Sequence, residues 1–155
     1  MSASIEFSHV TFNYGFRHSP ALTDISFDID PGSIAGLLGR NGSGKSTIAM
    51  LMAGQARAQE GDVLFNGVPV FDNPEAMANV CNAADAMAIF GDEKIRNTLR
   101  LWRDVRPNWD EEFAGNLLET FKISTRKKPD KLSRGQRSAL HAILGLASRC
   151  PVTIF

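Results

Sequence analysis

The chain has 155 residues, with 17 Lys and Arg balanced by 17 Asp and Glu. This balance argues against nucleic acid as a partner, because no net field draws the chain towards phosphate backbones. No apolar run approaches the roughly 18 residues that a membrane-spanning helix needs. Two cysteines without a secretory signal predict reduced thiols and a cytoplasmic location. The length predicts one domain, residues 1–155.

The first part of the chain predicts strands followed by a strand–loop–helix unit. Strands are expected at residues 5–13 and 25–30, where Ile25, Phe27 and Ile29 alternate with polar neighbours. The apolar run 34–38 predicts a buried strand, and residues 47–54 predict a helix closed by Gly54.

The glycine-rich segment between that strand and that helix predicts a phosphate-binding loop. The spacing Gly39-x4-Gly44-Lys45-Ser46 lets successive backbone N–H groups turn inward, and the following helix adds positive charge at its N-terminus. Lys45 would reach the β- and γ-phosphates, and the Ser46 hydroxyl would be a ligand of Mg²⁺. The residues predicted to bind nucleotide here are Gly39, Asn41, Gly42, Ser43, Gly44, Lys45, Ser46 and Thr47.

A second motif, Leu132-Ser133-Arg134-Gly135-Gln136, lies further along the chain. Ser133 is a plausible N-cap for a helix predicted at 136–149, and Gly135 allows close approach of a ligand. By itself the motif is equally typical of an ordinary capped helix. Together with the phosphate loop, it makes the sequence resemble the ATP-binding-cassette (ABC) ATPase family. The signature motif of that family is Leu-Ser-Gly-Gly-Gln, from which this chain differs only at Arg134.

The resemblance implies how the nucleotide is held. In the family two subunits enclose two ATP molecules, so Ser133, Gly135 and Gln136 are expected at the nucleotide of a partner subunit. Tyr14 lies where the family carries the aromatic residue that stacks on adenine, and stacking needs only a flat ring face. The alternative for Tyr14 is an ordinary strand tyrosine with its hydroxyl group at the surface.

The resemblance also implies the fold and a second metal ligand. The expected fold is α/β, a P-loop NTPase of ABC type. It has a mixed sheet, an N-terminal antiparallel β part, a helical insert at roughly 82–131 and an incomplete core sheet. Residues 61–67 resemble the hairpin that follows the loop helix in the family. Asp85 stands where the family usually has a glutamine near Mg²⁺, and an aspartate offers the hard oxygen that Mg²⁺ prefers. An ordinary solvated loop is the alternative for Asp85.

Residues 152–155 resemble the strand that precedes an Asp-Glu pair needed for hydrolysis, and that pair is expected beyond Phe155. No catalytic residue is therefore predicted within the chain, which is expected to be inactive as an ATPase alone.

The predicted function is that of the ATP-binding subunit of an ABC transporter, with ATP and Mg²⁺ as cofactors. Its expected partners are a second ABC ATPase subunit and a transmembrane permease, which would hold it at the inner face of the cell membrane. Two alternatives stay open. One is a non-catalytic nucleotide-binding or inert fragment, and the other is a soluble ABC ATPase that does not act in transport.

Overall fold

The structure is a computed structural model that describes residues 3–15, 19–83 and 92–155. The chain divides into two compact units, Met1–Met77 and Ala78–Phe155. The single domain with a helical insert at roughly 82–131 stays a prediction.

The first unit is built on an antiparallel sheet, as expected for the N-terminal part. Its strands are β1 (Ile5–Phe12), β2 (Leu22–Ile29), β3 (Glu60–Phe65) and β4 (Val68–Pro69). They lie in the order β2-β1-β3-β4, and Phe7 of β1 stacks on Phe27 of β2 with ring centroids 4.5 Å apart. Helix α1 (Lys45–Met52) follows the phosphate loop and buries Ile48 and Leu51.

The predicted hairpin at 61–67 is confirmed by the pairing of β3 with β4. Its two turn residues, Asn66 and Gly67, have φ angles of 50° and 78°. A two-residue hairpin turn with positive φ at both positions matches the right-handed twist of the strands, and Asn-Gly is the residue pair that adopts it most readily.

The prediction of a buried strand at residues 34–38 is wrong. In this structure the segment has no strand pairing, and Ile34 and Leu38 are 102% and 93% exposed. A strand needs a neighbour to satisfy its backbone N–H and C=O groups. None of the described residues forms a hydrogen bond with the backbone of this segment, so its apolar composition does not make it a strand here.

The second unit combines a short parallel sheet with helices. Strands β5 (Val80–Asn82) and β6 (Val152–Ile154) pair in register from Val80 with Val152 to Asn82 with Ile154. Helix α2 (Pro74–Ala78) falls almost entirely within the first unit. The helices of the second unit are α3 (Ile95–Val105), α4 (Glu111–Thr120) and α5 (Arg134–Ala147), with a 3₁₀ turn at Pro129–Lys131. The core of the unit includes Ile95, Leu140, Ile143 and Leu144, which are fully buried.

Between residues 93 and 121 the structure has two separate helices. Helix α3 ends before Pro107, and Arg106 is extended with φ −114° and ψ 111°. The residue before a proline is disfavoured in the helical region by contact with the proline ring. Helix α4 begins at Glu111, and Asp110 is its N-cap. The Asp110 carboxylate accepts a hydrogen bond from the Phe113 amide.

A small polar cluster lies within the core of the second unit. The Trp102 ring N–H donates to Ser148 Oγ at 2.9 Å, and Ser148 Oγ lies 3.7 Å from Cys81 Sγ. A hydrogen bond from Cys150 lowers the pKa of Cys81, with smaller contributions from Ser148, Arg106 and Trp102, while burial acts in the opposite direction. Both cysteines are free thiols. The cluster links α3 to β5 and to the end of α5.

Asp110 also joins the start of α4 to the end of α5. Arg149 donates from Nε and Nη2 to Asp110 Oδ2 at 3.1 and 2.8 Å, and its guanidinium lies 4.3 Å from the Phe113 ring centroid. The Phe113 amide and then the Arg149 side chain hold the pKa of Asp110 below its usual value. A group with a lowered folded-state pKa stabilises the fold above its unfolded pKa, and loses that effect as the pH falls through the folded pKa.

We therefore expect Asp110→Asn, which keeps a good N-cap, to lower the free energy of unfolding at pH 7. The difference from wild type should shrink once the pH falls below about 4, where unfolded aspartates protonate. Urea unfolding at a series of pH values measures this. Asp104→Asn, at an exposed ion pair with Arg103, is the matched control and should have little effect. A difference between Asp110→Asn and wild type that is the same at pH 7 and pH 2 would contradict the argument.

Within the described part of the chain, no helix is both long enough and apolar enough to span a membrane.

Candidate functional site: a phosphate-binding loop and a capped signature motif

The phosphate loop enters α1 through Gly44, which has a φ of 90° and is the N-cap of the helix. A side chain is strained at this angle. A Cβ added there would also lie 2.6 Å from Leu22 Cδ2 and 2.9 Å from the Ala21 carbonyl oxygen. Both backbone angle and space therefore require glycine at this position. The helix begins at Lys45, two residues earlier than the predicted start at 47.

Lys45 folds back over the loop that precedes it. Its Nζ donates to the carbonyl oxygens of Gly39 and Arg40 at 2.8 and 2.9 Å. The ammonium group is thus held against the loop and makes no ion pair with a described carboxylate. Its positive charge remains available to an anion bound in the loop.

The loop also offers backbone donors. The Ser43 amide is used internally, since it donates to the Arg40 carbonyl at 3.1 Å. Within the described residues, the amides of Gly42, Gly44, Lys45 and Ser46 make no hydrogen bond. Free N–H groups in a glycine-rich turn at a helix N-terminus can bind an anion, and a phosphate group fits this donor set.

Ser46 is the described residue suited to Mg²⁺. Its exposed hydroxyl lies in the first turn of α1, directly after Lys45. One hydroxyl is an adequate protein ligand for Mg²⁺, which usually keeps several waters and takes phosphate oxygens for the rest. Asp85, the other predicted metal ligand, lies outside the described residues. Among the described residues, no group of three or more His, Cys, Asp or Glu side chains is placed to hold a metal ion.

Tyr14 lies beside the phosphate loop, two residues after β1. Tyr14 is 63% exposed, and its ring meets Phe12 edge-to-face, with centroids 5.0 Å apart and planes at 88°. Its hydroxyl group lies 2.9 Å from Thr47 Oγ1. The contact ties the hydroxyl group to α1 and leaves most of the side chain exposed, and stacking on adenine stays a prediction. The partner Thr47 is 33 positions away in sequence, so no spacing rule could have found it.

In the second unit, the signature motif forms a complete capping box at the start of α5. Ser133 Oγ accepts from the Gln136 amide at 3.2 Å, and the Ser133 amide donates to Gln136 Oε1 at 3.3 Å. The predicted N-cap is confirmed, and α5 starts at Arg134 because helical residues follow the cap directly. Arg134 is exposed and leaves both cap bonds intact.

Gln136 and Gly135 differ in their surroundings. Both polar atoms of the Gln136 side chain form hydrogen bonds, because its Nε2 also donates to the Lys122 carbonyl at 3.0 Å. Gly135 is open, since no atom of the described residues lies within 4 Å of where its Cβ would be. Packing in this structure gives no reason for glycine there.

Comparison with known proteins identifies the family. A family model described as ABC transporter matches residues 22–155. The chain belongs to the ABC transporter family. The phosphate loop and the signature motif both fall within the matched region.

Two relatives from this family illustrate the likeness. The ABC transporter ATP-binding protein YtrB of Bacillus subtilis (strain 168) is 32% identical over 128 residues, which cover 83% of this chain and 44% of that protein. The ATP-dependent lipid A-core flippase of Xanthomonas axonopodis pv. citri (strain 306) is 31% identical over 163 residues, covering 97% of this chain and 28% of the flippase. This ABC family member thus spans less than half the length of either relative.

Solved structures confirm the fold class. A bacterial Atm1-family ABC exporter with ATP bound matches 98% of this chain with a TM-score of 0.79, at 22% identity and over 28% of the exporter chain. The ATP-binding subunit of an ABC transporter matches 96% with a TM-score of 0.78, at 21% identity and over 64% of that subunit. The predicted α/β fold of ABC type is therefore correct.

Proposed function

We propose that this chain is the ATP-binding part of the energy-supplying subunit of an ABC transporter, and that it binds Mg·ATP through the loop at residues 39–47. The observation that carries the proposal is the phosphate loop itself. It combines free backbone N–H groups, the start of α1 and the ammonium group of Lys45 in one place. Membership of the ABC transporter family supports the choice of ATP over other phosphates.

Each part of the loop has a chemical role in the proposal. Backbone amides of the loop would donate to phosphate oxygens, and Lys45 would neutralise the charge of the β- and γ-phosphates. The Ser46 hydroxyl would hold Mg²⁺ against the same oxygens, with Asp85 as a further proposed ligand. Tyr14 would stack on adenine with its exposed ring face. The loop residues included are Gly39, Asn41, Gly42, Ser43, Gly44, Lys45, Ser46 and Thr47.

The signature motif is proposed to act on the nucleotide of a second ABC ATPase subunit. Gly135 leaves the space that a γ-phosphate would need, and Ser133 lies at the N-terminus of α5, where anions are favoured. We propose that Gln136 stabilises the backbone around the motif, because its Oε1 accepts from the Ser133 amide and its Nε2 donates to the Lys122 carbonyl.

The whole protein is proposed to work with a transmembrane permease at the inner face of the cell membrane. Two ATPase subunits would close around Mg·ATP, and this closure together with ATP hydrolysis would drive conformational changes of the permease. The names of the relatives support a transporter, since they include a flippase and an exporter.

Titration of the purified chain with a fluorescent ATP analogue in the presence of Mg²⁺ tests the proposal. We expect saturable binding that unlabelled ATP and inorganic tripolyphosphate both displace, because the phosphate chain supplies most of the contacts. Adenosine, which has no phosphate, should displace the analogue poorly. Absence of saturable binding by a folded chain, or displacement by adenosine as effective as by ATP, would contradict the proposal.

A further inference from the structure

The two cysteines of the chain lie side by side in the second unit. Cys81 is fully buried in β5, and Cys150 is half-buried in the turn between α5 and β6. Their thiols share a hydrogen bond, although the two residues are far apart in sequence. The fold therefore brings together both thiols that the chain has.

The end of α5 directs two side chains towards β5. Arg149, which follows the C-cap of the helix, is left-handed with a φ of 48°, a conformation that commonly ends a helix. On one side of it, Ser148 Oγ lies 3.7 Å from Cys81 Sγ. On the other side, the Cys150 thiol donates to the Ala78 carbonyl at 3.4 Å. These contacts hold Cys150 beside the strand that carries Cys81.

A guanidinium group stands next to the two thiols. Arg106 Nη1 lies 3.8 Å from Cys150 Sγ and donates to the carbonyls of Ala78 and Val80 at 3.2 and 3.1 Å. A positive charge and a donated hydrogen bond both favour a thiolate over a thiol. The hydrogen bond from Cys150 and, less strongly, the charge of Arg106 lower the pKa of Cys81, while burial opposes them. The thiolate is the form of cysteine that reacts with oxidants.

We propose that Cys81 and Cys150 form a site of reversible oxidation, at which a hydroperoxide converts the two thiols into a disulfide bond between β5 and the turn before β6. The site lies in the second unit, whereas the phosphate loop lies in the first. The proposal therefore goes beyond the binding of ATP and does not depend on it. A disulfide requires two sulfur atoms about 2.05 Å apart, and thiols that already share a hydrogen bond need only approach each other.

The reaction has two steps. Cys150 is the less buried of the two cysteines, so its thiolate attacks one peroxide oxygen. The O–O bond breaks, a sulfenic acid forms, and the leaving hydroxide takes up the proton released by the thiol to give water. The Cys81 sulfur then attacks the Cys150 sulfur, so that the S–S bond forms, the S–O bond breaks and a second water leaves with the Cys81 proton. The two thiols lose two electrons, which reduce the peroxide.

Peptide mapping by mass spectrometry tests the proposal on the purified chain. The chain is reduced, freed of reductant, treated with hydrogen peroxide, denatured and alkylated with iodoacetamide. We expect one disulfide that joins the peptides of Cys81 and Cys150 within a monomer, and dithiothreitol should make both thiols available for alkylation again. Disulfides between two chains, thiols oxidised only to sulfinic or sulfonic acid, or thiols that do not react would overturn the proposal.

The unfolded chain shows whether the fold arranges the pair. Preorganised groups react faster than the same groups on a flexible chain, so the disulfide should form at least about tenfold faster in buffer than in urea at the same pH. An equal or faster rate in urea would overturn the proposal. In Cys81→Ala, the sulfenic acid at Cys150 has no second thiol to attack it and should be trapped by dimedone. Absence of the dimedone label in the folded variant would contradict the order of the two steps.

Variants of Arg106 test the guanidinium group. Arg106→Met removes the charge and should slow formation of the disulfide about three- to tenfold, since less thiolate is present. Arg106→Lys keeps a charge and should retain most of the rate. Arg103→Met, at an exposed ion pair of the same helix, is the matched control and should react as the wild type does. A folded Arg106→Met that reacts at the wild-type rate would show that the charge does not activate the thiols.

Thermal unfolding measures the effect of the bond on the fold. The disulfide would close a loop that contains α3, α4 and α5, and it would restrict the unfolded chain. The melting temperature of the oxidised chain should therefore rise by roughly 5–15 °C. Cys81→Ala should show no rise after the same treatment. An oxidised wild type that melts no higher than the reduced chain would mean that the fold does not hold the thiols in disulfide geometry. None of these measurements uses nucleotide, so their failure leaves the proposed function intact.

Discussion

Replacing Lys45 with alanine is expected to weaken binding of ATP by at least about tenfold. The ammonium group of Lys45 is held against the phosphate loop by its hydrogen bonds to the Gly39 and Arg40 carbonyls. Hydrogen bonds to charged groups contribute about 1.5–3 kcal/mol each, and about 1.4 kcal/mol corresponds to a factor of ten in affinity. Titration with the fluorescent ATP analogue measures the change.

The matched control removes the same charge elsewhere. Lys127 is exposed and lies in the second unit, and Lys127→Ala should bind ATP with wild-type affinity. Circular dichroism should show that both variants keep the secondary structure of the wild type. If folded Lys45→Ala binds ATP as tightly as the wild type, the loop is not the phosphate site and its assignment is wrong.

Replacing Trp102 with alanine is expected to give the largest loss of stability, about 3–5 kcal/mol, because it leaves a cavity in a packed core. Trp102 is 7% exposed and its ring N–H donates to Ser148 within the second unit. Domains are stable by only about 5–15 kcal/mol, so the change consumes a large part of that margin. Urea unfolding followed by circular dichroism at 222 nm is suited to the helices of this unit.

Trp109 provides the matched control, because it is only half buried and its ring N–H donates to the exposed Glu111 at 2.7 Å. Trp109→Ala should lower the free energy of unfolding clearly less than Trp102→Ala does. Trp102→Phe keeps most of the ring volume but loses the hydrogen bond to Ser148. Its free energy of unfolding should therefore lie between those of the wild type and Trp102→Ala. Equal losses for the two alanine variants would mean that burial of Trp102 does not stabilise the unit as argued.

Local features of the site could be predicted because they depend on neighbouring residues. Ser133 and Gln136 are three positions apart, the spacing at which a capping box closes, and the structure has that box. The Asn66-Gly67 turn likewise follows from two residues that tolerate positive φ. The break between α3 and α4 depends on a neighbouring residue in the same way, because the residue before Pro107 is disfavoured in the helical region.

The sequence by itself therefore determined the family, the Ser133 cap of α5 and the hairpin turn at Asn66-Gly67. The geometry of the cap and of the turn is set by a few consecutive side chains and backbone angles. Only the tertiary structure decided what depends on distant partners. Residues 34–38 form no strand here because a strand exists only where a neighbour pairs with its backbone. Likewise, the Tyr14 hydroxyl meets Thr47 because folding brings together two residues that no sequence spacing relates.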